Sequence, residues 1–293
     1  MSADRNKTID PVTGVATTGH EWDGIRELNM PLPRWWLWIF YATIIWSIGY
    51  WILYPAWPLV TTYTDGLLNW NSRQAIMDDM AALKAQRAAM VDRIQSSTLE
   101  EILSDQQMLS FARAQGRAAF ADNCAPCHGA GGGGAKGYPN LVDDDWLWGG
   151  KLEDIAFTIR HGIRSTDEQT RSGTMPAFGR DKMLERPDIL AAADYVRSLS
   201  NLAVAKTADL DRGKKVFAEN CAACHGETGK GNSELGAPDL TDPIWLFGPA
   251  RDTIIEGISN GRGSVMPTWR ARLDDTTIKS LTVYVHSLGG GQK

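Results

Sequence analysis

The pentapeptide Cys124-Ala125-Pro126-Cys127-His128 recurs as Cys221-Ala222-Ala223-Cys224-His225, and the two copies use all four cysteines of the 293-residue chain. C-x-x-C-H is the attachment sequence of c-type haem: the two thiols add to the haem vinyl groups and the adjoining histidine ligates the iron. A zinc module would bring its two cysteine pairs much closer in sequence than Cys127 and Cys221, and a redox dithiol leaves the histidine after each pair unexplained. Two covalently bound haem c groups are therefore expected. Cys124 and Cys127 would hold one and Cys221 and Cys224 the other, with His128 and His225 as proximal iron ligands.

The motif sits inside a longer repeat. Gly116, Phe120, Ala121 and Asn123 before the first cysteine answer Gly213, Phe217, Ala218 and Asn220 before the third. Pro139, Leu141, Trp146 and Gly149 answer Pro238, Leu240, Trp245 and Gly248. Met175-Pro176 answers Met266-Pro267, and Tyr195-Val196 answers Tyr284-Val285. Each copy predicts a helix running into the haem motif, a Gly-rich loop, a short helix (152–161 and 251–261), a Met-Pro loop, and a helix that closes its own repeat (187–199 and 276–288). About 90 residues suffice for such a shell because the haem supplies much of the apolar core.

The sixth iron ligands are expected to be Met175 and Met266, each before a proline at the same place in its repeat. A Met thioether opposite His favours reduced iron and raises the potential, which suits an electron carrier. Spacing leaves open whether each methionine faces the haem of its own repeat or that of the other. His161 is the alternative ligand for the first haem, but the second repeat carries Glu256 there. Met183 has no counterpart, and His20 and His286 read as structural.

Ahead of the repeats, an uncharged run from Trp35 to about Thr64 is long enough to cross ~30 Å of hydrocarbon as a helix. Six of the twelve tryptophans lie between Trp35 and Trp57, and Trp35, Trp36 and Trp38 at one end with Tyr50, Trp51, Tyr54 and Trp57 at the other fit two interfacial belts. No apolar region behind a basic start precedes the run, so it reads as an uncleaved signal anchor. Haem is attached on the oxidising, translocated side, which puts the N-terminus in the cytoplasm and the haem domains in the periplasm of a bacterial inner membrane. The expected organisation is all-α: a weakly structured arm (1–34), a transmembrane anchor (35–60), a juxtamembrane helical linker (61–108), and two cytochrome domains (109–202 and 203–293).

The net charge of −5 is concentrated at −4 within residues 1–109, leaving the two repeats nearly neutral. Bulk charge thus gives no argument for nucleic acid. Gly129 to Gly134 formally satisfies G-x-G-x-x-G, but it follows a haem motif and not a strand, which points to a loop passing the haem edge. No nucleophile with a base and no carboxylate pair stands out, so no catalytic residue is assigned.

Both repeats resemble class I cytochrome c domains over about 110–290. The arm is more specific: His20-Glu21-Trp22-Asp23-Gly24-Ile25-Arg26-Glu27, then Pro31-Leu32-Pro33, Trp35-Trp36 and an anchor ending in Tyr54-Pro55. With two tandem haem domains, this is similar to the membrane-anchored dihaem subunit of cbb(3)-type cytochrome c oxidase. The resemblance implies a non-catalytic subunit that takes electrons from a donor cytochrome c and passes them haem to haem to a monohaem subunit. From there they would reach the oxygen-reducing haem-copper subunit of a proton-pumping complex, onto which the arm and anchor would dock. Competing readings are a free-standing membrane-tethered dihaem shuttle and a dihaem peroxidase, which the paired methionines disfavour.

Overall fold

A computed structural model describes residues 8–291. The chain divides into two compact units, Met1–Ala85 and Gln86–Lys293, each described by itself.

In the first unit, residues expected to be weakly structured form an antiparallel hairpin of β1 (Thr17–Trp22) and β2 (Ile25–Leu28). Asp23 (φ 49°) and Gly24 (φ 86°) close it, the left-handed pair that a two-residue hairpin turn requires. Arg26 Nε donates to Glu21 Oε2 across the strands at 2.6 Å. The arm is thus ordered over the hairpin, and the Asp-Gly dipeptide is the signal for it.

Helix α1 (Arg34–Leu53) has 20 residues, enough to span about 30 Å, and none of them is buried within the chain. Pro55 ends it, because a residue before proline is pushed out of the α region; Tyr54 has ψ 161°. Segment 66–70 then folds back on the helix end, with Leu67 N and Leu68 N donating to Ile52 O and Leu53 O. Trp46, Tyr50 and Tyr54 stack in a row, and Trp70 meets Tyr54 edge-on at 6.0 Å.

Helix α2 (Ser72–Ser96) runs from the first unit into the second. Its early apolar residues Ile76, Met80 and Leu83 are exposed, whereas Ile94 is fully buried against Ile102, Met108, Ala112 and Val283. Lys279 Nζ donates to the carbonyls of Ile94, Gln95 and Ser97, satisfying the helix C-terminus with the charge its dipole favours. The stretch after it, up to the first haem motif, is two helices. α3 (Leu99–Ser104) opens on a capping box between Thr98 and Glu101. α4 (Gln106–Asn123) restarts at Asp105, whose carboxylate accepts from Gln107 N and Met108 N.

The remaining helices are α5 (Ala125–His128), α6 (Leu152–His161), α7 (Arg186–Leu199), α8 (Leu210–Asn220), α9 (Ala222–His225), α10 (Arg251–Asn260) and α11 (Asp275–His286). Their lengths fit the two-fold repeat, and their packing corrects one expectation. Each C-terminal helix closes the other repeat, not its own: α4 packs on α11, and α7 packs on α8. One core joins Phe120, Ile155 and Ile159 to Ile278, Leu281 and Val285. The other joins Phe178, Ile189, Ala192 and Ala193 to Val216 and Ile258.

Chain connectivity accounts for this choice. The short link between α7 and α8 lets them pair as sequence neighbours at little loop-closure cost, which leaves α4 and α11 for each other. Close approach then fixes the register: a Cβ on Gly116 would lie 2.2 Å from Ser280 O, and one on Gly213 would lie 2.3 Å from Ala191 O. Arg251 on α10 pairs in two-pronged fashion with the buried Asp194 on α7, at 2.6 and 2.8 Å.

Candidate functional site

In both copies of the pentapeptide, the helix that precedes it ends at the first cysteine. Cys124 caps α4 and Cys221 caps α8, and a single helical turn then carries Cys127 with His128 and Cys224 with His225. That turn brings the second cysteine and the histidine back beside the first cysteine, within reach of a single planar group. Cys124 and Cys221 are half-buried, and Cys127 and Cys224 are exposed. Burial pushes the Cys124 and Cys221 thiols up to about 11, with the neighbouring Cys127 and Cys224 adding to it, so both are held as protonated thiols.

The histidines are oriented by backbone. His128 Nδ1 lies 3.0 Å from Pro139 O, and His225 Nδ1 lies 3.1 Å from Pro238 O. That contact fixes Nδ1 as the protonated nitrogen and leaves Nε2 as the lone-pair donor, the arrangement that orients a metal-bound imidazole. Burial lowers both histidine pKa values, opposed by the proline carbonyls, so the ligating neutral form is favoured.

The Gly-rich loops place those carbonyls. Gly134 N donates to His128 O and Gly231 N to His225 O, both at 2.8 Å. Gly134 (φ 69°) and Gly231 (φ 78°) are left-handed, and a side chain on either would fall 2.5 Å from the Tyr138 or Ala237 carbonyl. Repeat matching marks Pro139 and Pro238 as equivalent; the use of their carbonyls is visible only in three dimensions.

The two methionines lie in symmetric isolated antiparallel bridges. Met266 exchanges both backbone hydrogen bonds with Ile163, at 2.9 and 3.0 Å, and Met175 exchanges both with Arg262, at 3.0 and 3.3 Å. Met266 packs against the core that also takes in Cys124, Ala125, Leu141 and Trp146, and Met175 packs against the core of Val216 and Ile258. Met266 thus joins a core that includes Cys124 of the first repeat, and Met175 one that includes Val216 and Ile258 of the second. Gly162 and Gly261 cap α6 and α10, which makes Asn260 the counterpart of His161 and sets Glu256 opposite Phe157, a correction to the alignment of that helix. His161 is buried, and its Nδ1 lies 3.0 Å from Asp167 Oδ1.

The chain's donors suit a haem. Trp245 Nε1 is buried with no partner among the described residues, a donor suited to a propionate oxygen, whereas Trp146 Nε1 is taken by Gly290 O. Around Asp145, a polar cleft of about 570 Å³ draws on loops of both repeats, including Trp146, Lys230 and Asp239. Asp145 is pushed up to about 6 by burial, reinforced by Asp242 and Asp143.

Comparison with known proteins accounts for nearly all of this chain. Residues 14–61 match the N-terminal domain of cytochrome oxidase-cbb3, FixP; residues 113–200 match the cytochrome c family; and residues 208–285 match cytochrome c oxidase, cbb3-type, subunit III. The cbb3-type cytochrome c oxidase subunit FixP of Azorhizobium caulinodans is 60% identical over 284 residues, covering 97% of this chain and 96% of that protein. The FixP subunit of Bradyrhizobium sp. is 55% identical over 97% and 98% of the two chains. The CcoP subunit of Azospirillum brasilense is 51% identical over 98% and 99%. A hairpin and apolar helix ahead of two interleaved haem-attachment repeats, matched end to end by these relatives, make the chain a member of the FixP/CcoP family of cbb3-type cytochrome c oxidase subunits.

Proposed function

We propose that this chain is the dihaem electron-transfer subunit of a cbb3-type terminal oxidase. Two haem-attachment turns enclosed within one interleaved unit carry the reading, since a two-step relay needs both stations held by one rigid scaffold. Cys124 and Cys127 would bind one haem, and Cys221 and Cys224 the other. Each haem would supply a one-electron couple at its iron. His128 and His225 hold the proximal sides, with their Nδ1 protons kept on Pro139 O and Pro238 O.

The sixth ligands would be crossed in this reading: Met266 would hold the haem of His128, and Met175 the haem of His225. The reciprocal bridges Met266–Ile163 and Met175–Arg262 support it, as does the packing of Met266 and Cys124 against one core. No side chain of the chain is assigned to oxygen chemistry. Electrons enter from a donor cytochrome c, leave through a monohaem subunit, and reach the haem-copper subunit of a proton-pumping complex. α1 is a single membrane crossing with the hairpin in the cytoplasm and the haem repeats in the periplasm, the side on which thiols are joined to haem.

Purification in mild detergent tests the assignment. Haem b and copper should accompany the chain, and recovery of a dihaem protein alone would make it a free-standing shuttle. The crossed pairing is tested in a Cys124→Ala/Cys127→Ala background that keeps only the second haem. There Met175→His should remove the near-infrared Met-to-iron band and Met266→His should leave it; the opposite result would restore ligation within each repeat.

A further inference from the structure

The two Met-Pro loops are anchored alike by backbone and differently by side chains. Trp269 N donates to Ile159 O, and the matching Phe178 N donates to Ile258 O. Thirteen positions, however, separate Gly162 from Met175, whereas five separate Gly261 from Met266. The additional residues of the first repeat, about 165–172, reach the loop that carries Met266.

Asp167 is the hub of that reach. Its side chain is only 2% exposed, yet it is charged and fully engaged. Oδ1 accepts from Gln169 N at 2.9 Å and meets His161 Nδ1 at 3.0 Å. Oδ2 pairs with Arg270 Nε at 2.8 Å and lies 3.4 Å from the Thr268 hydroxyl, whose shorter bond, 2.6 Å, is to Arg160 O. Arg270 and Thr268 flank Trp269 in the loop that starts at Met266. On the other Met loop the matching residues are Ala177 and Gly179, Asn260 stands for His161, and Asp167 has no counterpart.

A carboxylate so deeply buried is costly unless each oxygen is paired, and once paired it holds its partners stiffly. We propose that Asp167 is a positioning residue for the sixth ligand of the first haem: through Arg270, braced by His161, it holds the Met266 loop closed over the site of His128. The first haem would then keep its methionine more firmly than the second, making it the less open of the two to external ligands. This rests on the crossed pairing proposed above.

The test uses the intact oxidase complex and carbon monoxide, which reaches a six-coordinate c haem only when its methionine lets go. The signal is read at the c-haem bands of the reduced complex, apart from the catalytic haem. Asp167→Asn and Arg270→Gln should each speed carbon monoxide binding to one c haem about tenfold, the size of one lost charge-assisted hydrogen bond. Thr268→Ala, which installs the residue of the other loop, should act in the same direction and more weakly. Were Asp167→Asn to lose haem altogether, Arg270→Gln would decide alone. Unchanged carbon monoxide kinetics in Arg270→Gln, even with lowered stability, would overturn the proposal. Met266→His in a Cys221→Ala/Cys224→Ala background, which keeps only the first haem, separates the two ideas. If it removes one near-infrared band while Arg270→Gln changes nothing, the ligand stands and the positioning role falls; if it removes none, the ligand reading itself falls.

Discussion

Phe120 of the first repeat lies against Tyr284 of the second, ring centroids 5.4 Å apart, and Phe217 lies against Tyr195 at the same 5.4 Å. Both contacts tie a helix that leads into a haem motif to a helix from the other repeat. Tyr284→Ala should therefore damage the first haem site, although the tyrosine follows the second motif in the chain. Truncating a half-buried aromatic here should cost about 3 kcal/mol. Hydrogen exchange should report faster opening of α4 with α8 unaffected, and Tyr195→Ala should show the reverse.

Arg251→Met leaves the Asp194 carboxylate, 5% exposed, without its two-pronged partner. Stranding a buried charge costs about 3 kcal/mol. Chemical unfolding should show that loss, and Asp194→Asn combined with Arg251→Met should recover much of it, because the double variant strands no charge.

Gly134→Ala forces a side chain into left-handed backbone and against Tyr138 O. The strain should cost about 1–3 kcal/mol and move Pro139 O away from His128 Nδ1. With its Nδ1 proton no longer held, the imidazole donates less to iron, and the potential of that haem should rise in a redox titration. Gly231→Ala should do the same to the other haem through Pro238.

Asp145 gives a pH dependence with a definite sign. Its folded pKa of about 6 stands above the ordinary carboxylate value of 3.8, so between those limits the folded state holds more proton than the unfolded one. Stability conferred by the protonated carboxyl therefore falls as pH rises from about 4 to about 6, and the penalty is complete above that. Asp145→Asn should raise the melting temperature at pH 7.5 and give no gain at pH 4, as thermal scans at the two pH values would record.

The haem turns, the anchor and the helix spans were legible because each rests on local chemistry: motif, apolar length and periodicity. The exchange of closing helices was not, and the reason is specific. Gly116 and Gly213, Phe120 and Phe217, and Tyr195 and Tyr284 present the same residue types to either partner, so the repeat pattern is satisfied by own-repeat and crossed packing alike. The short α7–α8 link breaks the tie, and its effect is one of chain entropy, which no residue type announces. Asp167 was hidden differently, since its partners are spread from His161 to Arg270. The hairpin was legible in Asp23-Gly24 between apolar positions and was obscured by the polar composition around it.

Interleaving also imposes a schedule on the making of the molecule. Met175, α7, α8 and α10 form one continuous stretch of chain, so the shell around His225 can close as soon as that stretch has been made. The shell around His128 needs Met266 and α11, which follow all of these elements in the chain. The cysteine pair made first thus belongs to the pocket completed last, and during that interval Cys124 and Cys127 lack the cover that α11 gives α4. A chain truncated before α11 would lose the haem site nearer the membrane anchor in sequence and keep the distal one.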